Sequence, residues 1–258
     1  PSRLNSSTFA ANTTDTSSIV TTSSDLSATF TTYNGQIAEG DDTLDVDGAH
    51  STVSGNNTLL VLVDARGNVY NESMSVDADG TFDTDADFSG LVKGTITAHV
   101  ISPGRDGTVG NSGESVETWR TTTLSGYSGT GDQVRSQIVA GTIDDTASDD
   151  AMVSTSFRYA NSLTSIESVT SPVAGGDTVT IEGQTNRNPD DADITIEMLS
   201  DTGESVALDQ IGDWDSDGAW SVEIATDGLE LGSYVVEADD GDSTDRVDVE
   251  VVDEVATP

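Results

Sequence analysis

Apolar and polar residues alternate with a period of two in many short runs along this chain. The clearest run is residues 246–251, in which three valines alternate with Arg246, Asp248 and Glu250. Because successive side chains of a β-strand point to opposite faces, such runs predict strands with one buried face. Strands are expected from Ala28 onwards, near residues 43–48, 58–64, 68–76, 81–87, 94–102 and 151–159, and then near residues 163–169, 177–184, 192–199, 204–210, 219–225, 233–239 and 244–252.

The pattern occurs twice in the same order. Asp79-Gly80-Thr81-Phe82 is matched by Asp217-Gly218-Ala219-Trp220, and each set precedes an alternating run. Two further pairs of segments match upstream, residues 44–48 with 179–183 and residues 60–69 with 194–206. Short strands with turn signals between them, repeated in tandem, predict an all-β protein of two tandem immunoglobulin-like β-sandwich domains. The expected boundaries are a Ser/Thr-rich linker or end of a preceding domain at 1–26, domains at 27–160 and 161–254, and a linker start at 255–258.

Three features within this layout carry specific expectations. Phe82 and Trp220 lead the alternating face after each Asp-Gly turn, so both are expected in the cores, whereas Trp119 and Trp214 look isolated. Residues 103–131 are rich in Gly and Ser and predict a long surface loop. Val134, Ile138 and Val139 have helical spacing and predict a short helix.

The charge of the chain is strongly one-sided. Its 258 residues carry 47 Asp plus Glu against 9 Lys plus Arg, a net charge of −38, and Lys93 is the single lysine. In dilute buffer so many like charges repel one another and oppose a compact state. At about 1 M salt the Debye length is only about 3 Å, and this repulsion is largely screened. The composition therefore predicts a halophilic protein and disfavours binding to nucleic acid or to an anionic membrane surface.

Two further bounds follow from composition. There is no cysteine, so no disulfide can form. The longest apolar run, residues 59–63, is far shorter than the roughly 20 residues that cross a bilayer.

Acidic turns are candidate cation sites. Asp213, Asp215 and Asp217 precede a glycine as in the opening of a calcium loop, although the acid expected at loop position 12 is replaced by Ile224. A weaker version in the first domain consists of Asp77, Asp79 and Asp83. The simpler interpretation is that Asp-Gly is the preferred chemistry of a tight hairpin turn. Binding of Ca²⁺ or Mg²⁺ is a hypothesis beside it.

Four Asn-x-Ser/Thr sequons provide candidate glycosylation sites, at Asn5, Asn12, Asn56 and Asn71. They fall in the linker or in predicted turns of the first domain.

No pattern of catalysis is present, and we expect a protein that is not an enzyme. His50 is expected in a turn and His99 on a strand, and no nucleophile-elbow motif occurs. Paired carboxylates can be drawn anywhere in so acidic a chain, so they carry no information about glycoside hydrolysis.

Several long segments resemble the haloarchaeal S-layer glycoprotein family, strongest for its two C-terminal immunoglobulin-like domains. They include LLVLVDARGNV, VDADGTFD, GTITAHVISPGRDG and VEADDGDSTDRVDVEVV. The resemblance implies an extracellular, N-glycosylated subunit that self-assembles into a two-dimensional lattice on the cell surface, supported by divalent cations. It also implies that membrane anchoring occurs only through regions absent from this fragment. The alternatives are a secreted halophilic adhesin or carbohydrate-binding module, and an accessory domain pair of a secreted halophilic enzyme.

Overall fold

The computed structural model describes residues 20–21, 26–50 and 57–255. The first half of this described part contains β1 (Val20–Thr21), β2 (Leu26–Phe30), β3 (Gln36–Ala38), β4 (Thr43–His50), β5 (Asn57–Asp64), β6 (Val69–Ser75), β7 (Thr81–Asp87), β8 (Gly94–Ser102) and β9 (Ala151–Ala160). The second half contains β10 (Thr164–Val169), β11 (Val173–Ala174), β12 (Thr178–Thr185), β13 (Ile194–Leu199), β14 (Ser205–Ile211), β15 (Ala219–Ala225), β16 (Gly232–Asp239) and β17 (Thr244–Val252).

These strands form two β-sandwiches. In the first, a sheet ordered β1-β2-β4-β7 packs on a sheet ordered β3-β9-β8-β5-β6; in the second, β10-β12-β15 packs on β11-β17-β16-β13-β14. Every described strand pair lies within residues 20–160 or within residues 164–252. The predicted fold, two tandem immunoglobulin-like sandwiches, is confirmed. The alternation did not predict β3 and β11, two short strands that each pair in parallel with the last strand of their own domain.

The two cores share a cross-strand pair of glycine and an aromatic ring. Phe82 lies opposite Gly48, and Trp220 lies opposite Gly183 in the same place of the second domain. A Cβ atom on Gly48 would lie 2.2 Å from the Phe82 ring, and one on Gly183 would lie 2.1 Å from the Trp220 ring. Each ring therefore lies directly on the neighbouring backbone. The expectation that both aromatic residues belong to the cores is confirmed, since they are 2% and 4% exposed.

The interpretation of residues 103–131 as a surface loop is wrong. This segment contains three consecutive helical turns, namely α1 (Val116–Thr118), a π-helical turn (Trp119–Thr123) and a 3₁₀ turn (Leu124–Gly126). The predicted helix around Val134 follows as α2 (Gly131–Ala140), with a capping box between Thr130 and Gln133 at its start.

The reason for the helical insertion lies in the sheet beneath it. β5 is buried along almost its whole length, so its outer face, Leu59, Val61 and Val63, is as apolar as its inner face. Trp119, which looked isolated in the sequence, is 1% exposed and packs against this outer face together with the buried residues of α2. The insertion thus gives the first domain a second core on the outside of one sheet. Within the described residues no helix has the length and apolar character needed to cross a bilayer.

Candidate functional site at the domain junction

A buried arginine joins the two domains. Arg187 follows β12 of the second domain, and its side chain is 6% exposed. Its Nε donates to Asp41 Oδ1 of the first domain at 2.8 Å, and its Nη1 donates to Asp242 Oδ2 at 2.7 Å. Asp240, whose side chain is fully buried, lies 3.9 Å from the same Nη1. One guanidinium therefore binds carboxylates of both domains.

The carboxylate of Asp41 is held from the second domain by two donors. Its second oxygen accepts the backbone N–H of Asn188 at 2.9 Å. Burial raises the pKa of Asp41, and the Asn188 N–H and the Arg187 guanidinium offset part of that shift. Burial alone would lower the pKa of Arg187, but Asp41, Asp242 and Asp240 raise it, so the guanidinium stays charged. The pair of Arg187 and Asp41 is therefore largely shielded from solvent salt, whereas Asp242 lies at the exposed edge of the network.

Further contacts surround this network. Asn34, at a positive φ of 51°, donates its backbone N–H to the Ser216 carbonyl at 2.8 Å. The Asn186 side chain holds the interdomain connection by donating to Asn161 O at 2.9 Å and accepting from Leu163 N at 2.8 Å. These bonds join the domains through both the backbone and side chains, so their relative orientation is specified by many groups.

The single lysine of the chain lies at the same junction. Lys93 Nζ contacts the side chains of Glu39 and Asn161, and Asn161 belongs to the connection between the domains. Its ammonium group is partly exposed. The two cations Lys93 and Arg187 thus both serve the contact between the domains.

The acidic turn at residues 213–218 belongs to this junction. Trp214, which the sequence left as isolated, is 7% exposed and donates Nε1 to the Arg187 carbonyl at 2.9 Å. Asp213 and Asp215 on either side of it are exposed. Asp217 Oδ1 accepts the Ala219 N–H at 3.0 Å and so closes the turn. The turn thus positions Trp214 against the backbone of Arg187.

The matching turn of the first domain is built in the same way. Asp79 Oδ1 accepts the N–H of Thr81 at 3.2 Å and its hydroxyl at 2.7 Å, while Asp77 is exposed. Asp83 lies further along on β7, opposite Asp47. Nowhere in the described residues do three or more carboxylate or histidine side chains converge as a metal site. The geometry of both turns fits the hairpin interpretation, and binding of Ca²⁺ or Mg²⁺ there stays a prediction.

Like charges face one another beside the junction. Asp45 and Asp47 on β4 lie directly opposite Asp85 and Asp83 on β7. Directly opposed like charges destabilise a sheet. Burial, followed by the charge of Asp47, raises the pKa of Asp45. Salt in the solvent screens this repulsion.

The acidic face continues into a cleft between the domains of about 280 Å³. Tyr33 lines it together with Asp45 and Asp85 from the first domain and Asp190 and Asp191 from the second. Burial and the neighbouring carboxylates, Asp190 foremost among them, raise the pKa of Tyr33 to about 12. The junction is therefore bordered by negative charge, while the buried arginine provides the compensating cation.

Of the sequons, Asn71 lies among the described residues; Asn5, Asn12 and Asn56 lie outside them. The expectation that Asn71 is in a turn is wrong, because it lies on the edge strand β6, paired with Val61. Its Oδ1 accepts from Arg120 Nη1 of the helical insertion at 3.3 Å. Ser73, the hydroxyl residue of the sequon, accepts from Asn57 Nδ2 at 2.9 Å. The residue is partly exposed, so glycosylation at Asn71 stays a prediction with a defined position on the fold.

Both histidines are buried in the first domain. His50 ends β4 instead of lying in a turn, and it closes the neighbouring hairpin by donating its N–H to the Gly80 carbonyl at 2.8 Å. His99 lies on β8 as expected and is 4% exposed. Its Nδ1 lies 2.7 Å from Ser154 Oγ, and burial lowers its pKa to about 4.

The junction was not found from the sequence. Arg187 is one of few cations in a very acidic chain, and its position directly after a predicted strand was the available signal. Its partners Asp41 and Asp242 lie far from it in sequence, and in a chain with 47 acids no pattern distinguishes them from the others. The structure thus defines a pair of immunoglobulin-like domains joined by a buried ion network.

Comparison with known proteins identifies the relatives of this pair. The chain is 44% identical over 261 residues to the cell surface glycoprotein of Halobacterium salinarum, which covers 99% of this chain and 30% of the relative. It is 47% identical over 216 residues to the cell surface glycoprotein of Haloarcula marismortui, covering 81% of this chain and 24% of the relative. The resemblance inferred from the sequence is confirmed: the chain is homologous to part of the haloarchaeal cell surface glycoproteins. It spans less than a third of their length.

The other comparisons add little. No protein-family model matches the chain. Among solved structures, a tandem repeat from the extending region of a large adhesion protein covers 83% of this chain and 46% of its own, at 18% identity and a TM-score of 0.32. The titin I-band fragment I67–I69 covers 84% and 61%, at 11% identity and a TM-score of 0.26. Such low scores carry no argument about function.

Proposed function

We propose that this chain is part of the structural subunit of a haloarchaeal S-layer, whose copies assemble into a two-dimensional lattice on the cell surface. The observation that carries the proposal is the 44% identity to a cell surface glycoprotein over 99% of the chain. The shared name of the relatives supports a location at the cell surface and a role that is not enzymatic.

The domain junction supplies the mechanical part of this role. A lattice subunit has to hold its contact surfaces at fixed positions relative to one another. The ion pair between Arg187 and Asp41, the bond from the Asn188 N–H to Asp41 and the bond from Asn186 to the connection limit the motion between the domains. The pair therefore acts as one stiff spacer.

The acidic surface fits concentrated brine. The facing carboxylates of β4 and β7 repel each other in dilute solution, and the repulsion falls steeply when the Debye length approaches about 3 Å at 1 M salt. We infer that the chain assembles at high ionic strength. Divalent cations act on this surface as counter-ions shared among several carboxylates.

N-linked glycans complete the proposal. The relatives are named glycoproteins, and Asn71 presents a sequon on an edge strand beside the helical insertion. Peptide mass spectrometry of the natural protein tests this directly. A glycan on the peptide that contains Asn71, absent from an Asn71→Gln variant, is the expected result, and an unmodified peptide would contradict it.

Electron microscopy of cell envelopes, labelled for this protein, tests the lattice itself. We expect a periodic sheet with the label at every repeat. Label on the cell surface without periodic order would exclude the S-layer and favour the adhesin alternative.

The alternative of a carbohydrate-binding module finds less support in the structure. Such modules commonly stack sugar rings on exposed aromatic side chains, which present an apolar face to the ligand. All three tryptophans of this chain, Trp119, Trp214 and Trp220, are buried. No tryptophan platform is therefore available on the surface.

A further inference from the structure

The second domain repeats the turn by which the first domain binds Arg187. In the first domain, Glu39 N–H donates to Ala160 O at 2.7 Å, and Asp41 N–H donates to Ala38 O at 3.3 Å. This turn follows the short parallel strand β3 and contains Gly40 at a φ of 101°. It presents Asp41 to Arg187 of the second domain.

The same turn recurs after β11. Gly175 N–H donates to Val252 O at 2.8 Å, Asp177 N–H donates to Ala174 O at 3.0 Å, and Gly176 has a φ of 91°. Asp177 therefore occupies the place of Asp41. Its side chain is exposed, and its carboxylate has no hydrogen bond or ion pair with any described residue. The second domain thus presents the acceptor of the junction without a donor.

The residue beside this acceptor differs between the copies in a consistent way. Lys93, just before Gly94, contacts Glu39 and the interdomain connection. Its counterpart Leu231, just before Gly232, lies 3.5 Å from the Cβ position of Gly175 and is 58% exposed. A charged contact in the first domain is replaced by an apolar one in the second. The second domain therefore places an exposed leucine beside the carboxylate, where the first domain has a lysine that contacts the interdomain connection.

A groove of about 630 Å³ adjoins Leu231 and is lined by Val206, Leu229 and Tyr234, with acidic residues at its rim. In the first domain the turn before β6 is covered, because a Cβ atom on Gly67 would lie 2.2 Å from Gly129 O of the insertion. The equivalent Gly203 has no atom within 4 Å of its Cβ position. This end of the second domain therefore exposes surface that the first domain covers.

We propose that the end of the second domain centred on Asp177 and Leu231 docks an arginine-bearing loop of a further β-sandwich domain, as Asp41 docks Arg187. The charge selects the occupant. Asp227 and Glu230 flank the acceptor, so the same end of a second copy would meet like charges. A cationic loop meets complementary charge, and its apolar neighbours cover Leu231. The proposal rests on the proposed function in one respect, that the chain works within an assembly of such domains.

The chain has no cysteine, which allows one to be placed at the surface as a reporter. The test uses the full chain with Ser233→Cys, an exposed position that lines the groove beside Leu231, at about 1 M KCl, where exposed charges are screened and a contact that shields its ion pair from solvent persists. The rate of maleimide labelling is measured with a peptide of residues 184–189, which carries Arg187 and no acidic residue, and with the same peptide carrying Arg187→Gln. Ser221→Cys, on an exposed position of β15, is the control for general effects on labelling.

We expect the arginine peptide to slow labelling at position 233 and not at position 221. Asp177→Asn should weaken this protection by about tenfold, which corresponds to about 1.4 kcal/mol. Equal protection by both peptides, or protection that survives Asp177→Asn, would show that an apolar or uncharged occupant is bound and would overturn the proposal. No protection by either peptide would also overturn it.

The same variant on assembled envelopes separates this proposal from the proposed function. Protection of position 233 in the envelope, relative to the dissociated protein, is expected and should be lost with Asp177→Asn. If microscopy shows the lattice but position 233 is labelled as fast as in dissociated protein, the docking surface is wrong and the S-layer proposal stands. If no lattice forms, the S-layer proposal fails and the peptide experiment still decides the docking surface.

Discussion

The buried arginine offers the sharpest test of how the two domains are held together. Arg187→Gln removes the cation and leaves the carboxylates of Asp41 and Asp240 in the junction, where their side chains are 3% and 0% exposed. Removing one partner of a buried ion pair typically costs about 3–5 kcal/mol, because the remaining charge stays desolvated and unpaired. We expect the free energy of unfolding to fall by an amount in that range.

A surface pair in the same chain gives the matched control. Arg246 pairs with Glu237 across β16 and β17, but its side chain is 64% exposed. Such pairs contribute about 0–1 kcal/mol and are screened by salt. Arg246→Gln should therefore have a small effect that disappears at high ionic strength, whereas the effect of Arg187→Gln should persist.

Urea denaturation at constant KCl concentration measures both variants, since urea is uncharged and leaves the ionic strength unchanged. Tryptophan fluorescence is a suitable signal because Trp214 hydrogen-bonds the Arg187 carbonyl. Combining Arg187→Gln with Asp41→Asn should recover part of the loss, since the second change removes one unpaired charge. If Arg187→Gln costs no more than Arg246→Gln, or if the double variant adds both losses, the ion network does not hold the junction.

Three further predictions follow from the described geometry. Gly183→Ala should lower the free energy of unfolding by about 1–3 kcal/mol or more, because the new Cβ would overlap a backbone carbonyl and the Trp220 ring. Gly90→Ala is the control in the same urea assay and should be nearly neutral, since no atom lies within 4 Å of its Cβ position. Burial lowers the pKa of His99 from 6.5 to about 4. Between these pH values the unfolded chain binds more protons than the folded chain. The stability contributed by the neutral ring is therefore lost as pH falls from 6.5 to about 4. His99→Gln should remove this component of the pH dependence of the melting temperature, and an unchanged profile would contradict it. If the acidic turn binds calcium, millimolar Ca²⁺ at constant ionic strength should raise the melting temperature, and Asp215→Asn with Asp217→Asn should abolish the gain; an equal gain in variant and parent would count against the site.

What the sequence determined by itself was the local architecture. Alternation with a period of two, or a continuous apolar run in the case of β5, located each long strand within about two residues, because such local patterns need no knowledge of the partner strand. The internal repeat then fixed the tandem arrangement. It also identified Phe82 and Trp220 as equivalent core residues, since both follow the same Asp-Gly turn.

The helical insertion was missed although a signal for it was present. The continuous apolar run at residues 59–63 lacks alternation, and a strand that is apolar on both faces needs a cover on both. The covering residues, with Trp119 at their centre, come from a Gly- and Ser-rich segment of weak periodicity. Only the packing of that segment on the sheet distinguishes it from a surface loop.

The domain junction was decided by tertiary structure alone. Arg187, Asp41 and Trp214 come from separate turns, and nothing in their local sequence indicates that these turns meet. A charged side chain looks the same in sequence whether it is solvated or buried, because burial depends on which elements are packed around it. The strands therefore follow from short-range pattern, whereas the contact that orients the two domains depends on the spatial meeting of loops distant along the chain.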